Sequence, residues 1–299
     1  DQEGPRALLL MAVSVAKPAR RLTGKRQRAP GSAEVTEAGI AKRRAADVAE
    51  PCQTTTTRTT ARATALPSAI VLNLDRRPDR WRSIAQRLST TGLSFERTAA
   101  LDGAVADIPE SLVTKEWSTA SNRRYVVKVF EGGEQYEACT LTLSDGERGC
   151  AASHLQCWRR VADRPAALGP VLVLEDDAEP VKGFQDKLRR ALEELRSEPD
   201  ILYLGYTQAA PWRRKVSKSL REAEYLWTTV AYLLWPSGAQ VLLGRLPVDQ
   251  PVDNFMAKLA VERRLRCFAV VPELVRQASE WNADSDIPHS DESAWRDES

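Results

Sequence analysis

Histidine and cysteine are scarce in this chain, and long apolar runs are missing. Two histidines, His154 and His289, stand in 299 residues, too few for a His-rich metal site. The five cysteines, Cys52, Cys139, Cys150, Cys157 and Cys267, are odd in number and nowhere form a Cys-x-x-Cys pair. That spacing excludes a recognisable zinc cluster and a dense disulfide framework, while leaving room for one or two disulfides. No stretch reaches the roughly 20 apolar residues that a membrane-spanning helix needs. The apolar segment ALLLMAVSVA at residues 7–16 has the length of a signal-peptide core, although the basic residues after it resemble the cytoplasmic flank of an anchor more than a cleavage site. With no initiator Met, its role stays open: lumen of the endoplasmic reticulum or Golgi if it is a signal or anchor, cytoplasm otherwise.

Net charge is also nearly absent, at +2, but it is unevenly divided. Residues 1–66 hold twelve Lys/Arg against six Asp/Glu, so the remainder sums to about minus four. The basic residues of this arm are interleaved with Ala, Thr, Gly and Pro, which offer little apolar surface to offset the entropy of ordering. A disordered or stem-like segment is expected, with the Thr-rich run at 53–64 as a stalk or linker. Its Arg clusters have no aromatic platform beside them, which argues against nucleic acid as a partner.

A folded domain is expected over 67–290, followed by a short tail at 291–299. The run AIVLNL at 69–74 reads as a buried strand; Pro78 with Trp81, Ile84, Ala85 and Leu88 reads as a helix that stops at Gly92. Residues 94–99 suit a second strand. From 104 to 148 the periodicity fails, and a loop-rich insertion with a hairpin at RYVVKVF, residues 124–130, is expected. Helix faces then recur at Leu155, Trp158, Val161 and Ala162, at Phe184, Leu188, Leu192 and Leu195, and at Val252, Phe255, Met256 and Leu259. Buried strands fall at 171–174, 201–204 and 230–235. This alternation predicts an α/β fold with a mixed, mostly parallel sheet and helices packed on it.

The strand at 171–174 ends in three adjacent acids, Glu175, Asp176 and Asp177. Two readings stand: a solvated loop at a sheet edge, or hard oxygen ligands delivered to the crevice where open α/β sheets bind ligands. In the second, the matching cation is Mg²⁺ or Mn²⁺, which prefers one or two carboxylates plus phosphate oxygens. After the first strand, NLDRRPDR at 73–80 places Arg76, Arg77 and Arg80 at the mouth of a helix, whose N-terminal dipole also favours anions. Alone these arginines read as surface charge; with the acids they suggest a nucleotide-diphosphate site.

Six segments in order carry a resemblance: NLDRRPDR, GERGCAASHLQCW (146–158), VLVLEDDA (171–178), YLG (203–205), AYLLWPSGAQVLL (231–243) and PVDNFM (251–256). Together they resemble the motif set of glycosyltransferase family 25, which includes lipooligosaccharide and procollagen galactosyltransferases. The resemblance implies a GT-A-like (Rossmann-like) fold with helices on both faces, a UDP-sugar donor, most often UDP-galactose, and transfer with inversion to a protein or glycan hydroxyl. Carried over, Glu175, Asp176 and Asp177 stand at the metal-binding acidic motif, and Asn73, Asp75, Arg76 and Arg80 fall at the first strand-loop motif, facing the nucleotide. Ser153 and His154 either contact the donor or, at what reads as a helix start, simply hydrogen-bond a neighbouring backbone. Asp253 is the candidate base for the acceptor hydroxyl; an N-cap explains it equally well.

Departures from the pattern are the long 104–148 insertion and Arg148, which stands where the family usually has an aliphatic residue. The closing RDES falls one residue short of an ER-retention tetrapeptide and is read as coincidence. Two rival readings are a metal-dependent phosphoesterase on the same alternation, which needs further ligands, and a non-catalytic nucleotide-sugar-binding relative.

Overall fold

The computed structural model describes residues 66–122 and 140–279, all inside the compact unit Arg58–Ser299. Outside the described residues lie the arm up to residue 65, the expected hairpin at 124–130 and the tail 291–299, as do Cys52, Cys139 and His289. In chain order the elements are β1 (Ala69–Leu74), α1 (Pro78–Ser89), β2 (Phe95–Ala100), β3 (Glu116–Ser118), β4 (Thr140–Thr142), α2 (Asp145–Ala162), β5 (Val171–Glu175), β6 (Ala178–Pro180) and α3 (Phe184–Glu193). Then follow β7 (Ile201–Gln208), β8 (Arg214–Lys215), β9 (Leu220–Glu222), β10 (Leu226–Leu234), α4 (Pro236–Leu243), α5 (Val252–Val261), β11 (Cys267–Val270) and β12 (Val275–Gln277).

The main sheet runs β2-β1-β5-β10-β7-β11-β9-β8. It is mixed: β1 pairs in parallel with both β2 and β5, and β7 with β11, whereas β10 runs antiparallel between β5 and β7. The aliphatic run of β10 reads like its parallel neighbours because it too is buried on both faces, and burial does not encode strand direction.

Side chains alternate across this sheet and fill two cores. Ile70, Leu72, Val171, Val173, Tyr203 and Tyr232 join one core with Leu155 and Trp158 of α2, Leu242 of α4 and Phe255 of α5. Val71, Leu172, Leu174, Leu204 and Leu233 join the other with Ile84 and Leu88 of α1 and Leu188 of α3. Helices therefore cover both faces. No described helix is long and apolar enough to cross a membrane.

Topology and a helix cap together create a crevice at one edge of this sheet. From β1 the chain crosses over α1 to β2 on one side, and later over α2 to β5 on the other. The carboxyl ends of β1 and β5 thus flank a point where the strand order reverses, the place where open α/β sheets leave room for a ligand. The helix beside it, α2, starts at Asp145, earlier than the apolar periodicity suggests, because Ser144 and Glu147 form a capping box: the Glu147 amide donates to Ser144 Oγ at 3.2 Å, and the Ser144 amide to Glu147 Oε2 at 2.8 Å. The end of the expected insertion is therefore the first turn of α2. Arg148, in that turn, is buried and donates to the carbonyl of Ile108, which ties residues before β3 to the helix.

Candidate active site

A cavity of about 1060 Å³ opens at the carboxyl ends of β1 and β5. Of the residues singled out in the sequence, Asn73, Arg76, Arg80, Ser153, His154, Glu175, Asp176, Asp177 and Asp253 line it. Asp75 does not. Its exposed carboxylate accepts from Arg97 of β2 at 2.6 Å, because the turn after β1 breaks the strand alternation and carries it outward.

The three acids diverge. Asp176 is buried, with Oδ2 accepting from Asn73 Nδ2 at 2.8 Å and Oδ1 lying 2.8 Å from Nε of Arg80. Asp177, also buried, has Oδ2 3.2 Å from Nη2 of Arg80 and accepts there from Gln277 at 2.9 Å. The backbone is locked at the same point, since Ala278 N donates to Asp177 O at 2.8 Å beside the β12–β6 pair. Its other oxygen, Oδ1, is buried without a hydrogen-bond partner. Glu175 turns away from both, and its Oε1 accepts from Thr229 Oγ1 and from Nε2 of His154, 3.2 Å away. Thus the acids do not converge on one point as a set of three ligands to one ion. Asp176 has both oxygens engaged, whereas Asp177 Oδ1 is a buried acceptor still available.

Each divergence has an electrostatic signature. Burial, then the charge of Glu175, pushes the Asp177 carboxyl up to about 6, against the pull of Gln277 and Arg80. Burial also raises Asp176, with Arg80 and Asn73 opposing it. For Glu175, burial presses upward, but the hydrogen bond and attraction to His154, with help from Thr229, hold it below the ordinary carboxylate range.

His154 sits in the third turn of α2, fully buried, and not at a helix start. Its Nδ1 lies 2.8 Å from the Tyr232 hydroxyl, which also accepts from Trp158 Nε1 at 3.1 Å, and its ring stacks on Tyr232 at 5.7 Å. Glu175 is ionised and only accepts, so Nε2 carries the proton that points at it. Ser153 uses its hydroxyl twice, donating to Gly149 O at 2.6 Å and accepting from Leu101 N at 2.8 Å. The first contact stays within α2, and the second binds the loop after β2 to it. That loop lies so close that a Cβ on Gly149 would fall 2.6 Å from Leu101 O and 2.7 Å from Gly103 N. Next to it, Asp102 Oδ2 lies 2.7 Å from Nε of Arg76, which is half exposed at the cavity mouth.

Comparison with known proteins decides the family. A model described as glycosyltransferase family 25 (LPS biosynthesis protein) matches residues 67–256. The chain belongs to glycosyltransferase family 25. It is similar to "Probable inactive glycosyltransferase 25 family member 3" of Bos taurus, 29% identical over 254 residues, 77% of this chain and 40% of that protein. It is also similar to "Procollagen galactosyltransferase 1" of Danio rerio, 28% identical over 228 residues, 69% of this chain and 35% of that protein. With "Inactive glycosyltransferase 25 family member 3" of Homo sapiens the identity is 32% over 195 residues, 62% of this chain and 30% of that protein. The chain thus spans 40% or less of the length of these family-25 relatives.

In this family-25 domain the far wall of the cavity comes from residues not singled out in the sequence. The ladder between β10 and β7 is irregular between Trp227 and Ala231, and Thr228 adopts a left-handed φ of 66°, a costly conformation for a β-branched residue. Its amide donates to Asp253 Oδ2 at 3.1 Å, while Asp253 Oδ1 accepts from the amide of Asn254 at 2.7 Å. Asp253 therefore holds the bulge that turns Thr228 and Thr229 into the cavity. Cys150, one helical turn before His154, also lines it. Burial, then Glu175, Asp253, Asp177 and Glu147, pushes its thiol well up. The signal for Cys150 was in the sequence: the Ser144–Glu147 capping box fixes where α2 starts, and the Cys150–His154 spacing of four then puts both on one face. No comparable signal marks Thr228, whose backbone is bent by tertiary contacts.

Proposed function

We propose that the cavity binds a UDP-sugar, in particular UDP-galactose, and transfers its hexose with inversion to a hydroxyl of a protein or glycan acceptor. One observation carries this reading: Asn73 at the end of β1 bonds Asp176 at the end of β5 directly across the switch point, and Arg80 bridges Asp176 and Asp177 there. Such a junction suits a nucleotide diphosphate. The fold is taken as GT-A-like, with antiparallel β10 placed beside β5 so that its bulge faces the donor.

A hard cation, Mn²⁺ or Mg²⁺, fits the donor set. The buried, unpartnered Asp177 Oδ1 is an oxygen ligand, and Asp176 beside it adds charge. When bound, such an ion neutralises the departing diphosphate. Arg80 keeps the two aspartates in place, so Arg76, at the mouth, is the cation that meets phosphate oxygens. Asn73 fixes Asp176 through Nδ2 and is itself fixed by Arg97, whose Nε donates to Asn73 Oδ1 at 2.8 Å. Asp253 takes the acceptor's proton on the face opposite the leaving group.

A second reading is a nucleotide-sugar-binding protein without turnover. Both Asp253 oxygens already accept backbone amides, which weakens it as a base, and two of the relatives are named inactive. The domains are taken as a stem at 1–66, the transferase at 67–290 and a tail at 291–299.

Incubation with UDP-galactose, Mn²⁺ and a panel of hydroxyl acceptors, including hydroxylysine peptides and glycans, tests the proposal. Release of UDP coupled to galactosylated product, lost in Asp177→Ala, is expected. Binding of UDP with no release under any acceptor would favour the second reading.

A further inference from the structure

We propose that Cys150, His154 and Glu175 form a site for one borderline-soft divalent cation, with zinc the preferred ion, on the wall of the cavity. By cysteine spacing alone zinc is excluded, because no two cysteines share a metal-ligand spacing. The fold assembles a different set. Cys150 and His154 sit four residues apart on one face of α2, and Glu175 arrives from the end of β5. One ligand atom from each lies within 4.8 Å of the other two, the only such group of three or more among the described residues.

The distances suit a small ion. His154 Nε2 and Glu175 Oε1 are 3.2 Å apart. Adjacent ligands of a tetrahedral ion, each about 2 Å from the metal, are separated by roughly 3.3 Å. The sulfur, no more than 4.8 Å from the other two ligand atoms, has to close by up to about 1.3 Å, within reach of a side-chain rotation. Supporting contacts are already built. The Tyr232 hydroxyl holds His154 at Nδ1 and is itself held by Trp158, while Thr229 holds Glu175. All three ligands line the cavity, so the fourth position faces it, open to water or a substrate oxygen.

Donor chemistry selects the ion. A thiolate and an imidazole with one carboxylate favour zinc over magnesium or manganese, which prefer oxygen alone. Glu175, Asp177, Asp253 and Glu147 surround the thiol with carboxylates, a setting that a dication suits. Binding then releases the thiol proton, and the imidazole proton passes from Nε2 to Nδ1, which donates it to the Tyr232 hydroxyl. This inference does not rest on sugar transfer. It places Glu175 with His154, apart from the oxygen site at Asp177.

Metal-free full-length protein is titrated with Co²⁺ as the optical probe and then with Zn²⁺, in a reductant without thiols. We expect one equivalent of Co²⁺ to give thiolate-to-metal charge-transfer absorption, bleached by one equivalent of Zn²⁺. Cys150→Ser abolishes that band, Cys157→Ser leaves it, and Glu175→Gln weakens Co²⁺ binding about tenfold or more. With only two histidines in the chain, a ¹⁵N-histidine spectrum of the wild type resolves His154, and its Nε2 becomes unprotonated on zinc loading. Absence of the band, its survival in Cys150→Ser, or an Nε2 still protonated at saturating zinc overturns the proposal. The histidine measurement needs no variant, so a misfolded mutant leaves the test intact. Failure here would leave Mn²⁺-dependent turnover of UDP-galactose unaffected, and the reverse holds, so the two readings fail separately.

Discussion

Nε of Arg80 lies 2.8 Å from Oδ1 of Asp176, and both side chains are buried. Arg80 also reaches Asp177, so one guanidinium offsets two consecutive carboxylates at the tip of a central strand. Removing it strands those charges. Arg80→Met is expected to lose about 3–5 kcal/mol in the metal-free protein, the usual result of breaking a buried ion pair from one side. Mn²⁺ should then raise the melting temperature of the variant more than that of the wild type, because the ion replaces the lost positive charge. Thermal unfolding with and without Mn²⁺ checks this.

Asp177 gives a pH prediction. Its folded-state carboxyl is raised to about 6 from an ordinary 3.8. A raised carboxyl binds its proton more tightly in the folded protein, so its contribution is most favourable below about pH 4 and is lost as pH rises through 6. The shift is equivalent to about 3 kcal/mol. Asp177→Asn should therefore be more stable than wild type at pH 7 by about 6–12 °C in melting temperature, with the gain fading toward pH 4. Parallel melts from pH 4 to 8, without divalent ions, measure the difference.

For Asp253, two roles predict different numbers. Asp253→Asn retains one amide-accepting oxygen but loses the basic one. As the base, it should lower kcat by about 10² to 10⁴-fold, on top of the roughly 1–3 kcal/mol of stability lost with one amide contact. A purely structural Asp253 would leave kcat near wild type and show its effect in Asp253→Ala stability instead. Steady-state kinetics and melts on both variants separate the roles.

The contact of Gly149 with the loop after β2 is steric. A methyl group placed 2.6 Å from the Leu101 carbonyl oxygen has to move backbone on one side or the other. Gly149→Ala is expected to lose about 1–3 kcal/mol and to displace the loop that carries Asp102, the partner of Arg76. Urea denaturation gives the first quantity; a raised KM for the donor gives the second.

Much of the fold was legible because it is written in burial. Val171 to Leu174 is apolar on both faces and became a central strand, and Pro78 began a helix where its fixed φ and missing amide do least harm. The cavity's two poles, Asn73 and the acids, followed from strands ending at the same edge. Direction was not legible. Nothing in VAYLLW distinguishes an antiparallel strand, and three adjacent acids do not reveal that Glu175 meets a helix from the other core while Asp176 and Asp177 meet Arg80. Asp75 came with the strand-loop motif as a residue facing the nucleotide, and the turn after β1 instead points its carboxylate at Arg97, outside the cavity lining. Thr228 has a conformation imposed by Asp253, 25 residues later, and local sequence carries no trace of it.

The central claim is that the crevice between β1 and β5 grips a nucleotide diphosphate together with a hard cation on Asp177. Calorimetric titration of UDP into wild type and Asp177→Ala, each with and without Mn²⁺, tests it most directly. The account predicts saturable binding to wild type that strengthens at least about tenfold with Mn²⁺, and no Mn²⁺ enhancement in the variant. UDP affinity that is the same in all four titrations would contradict it.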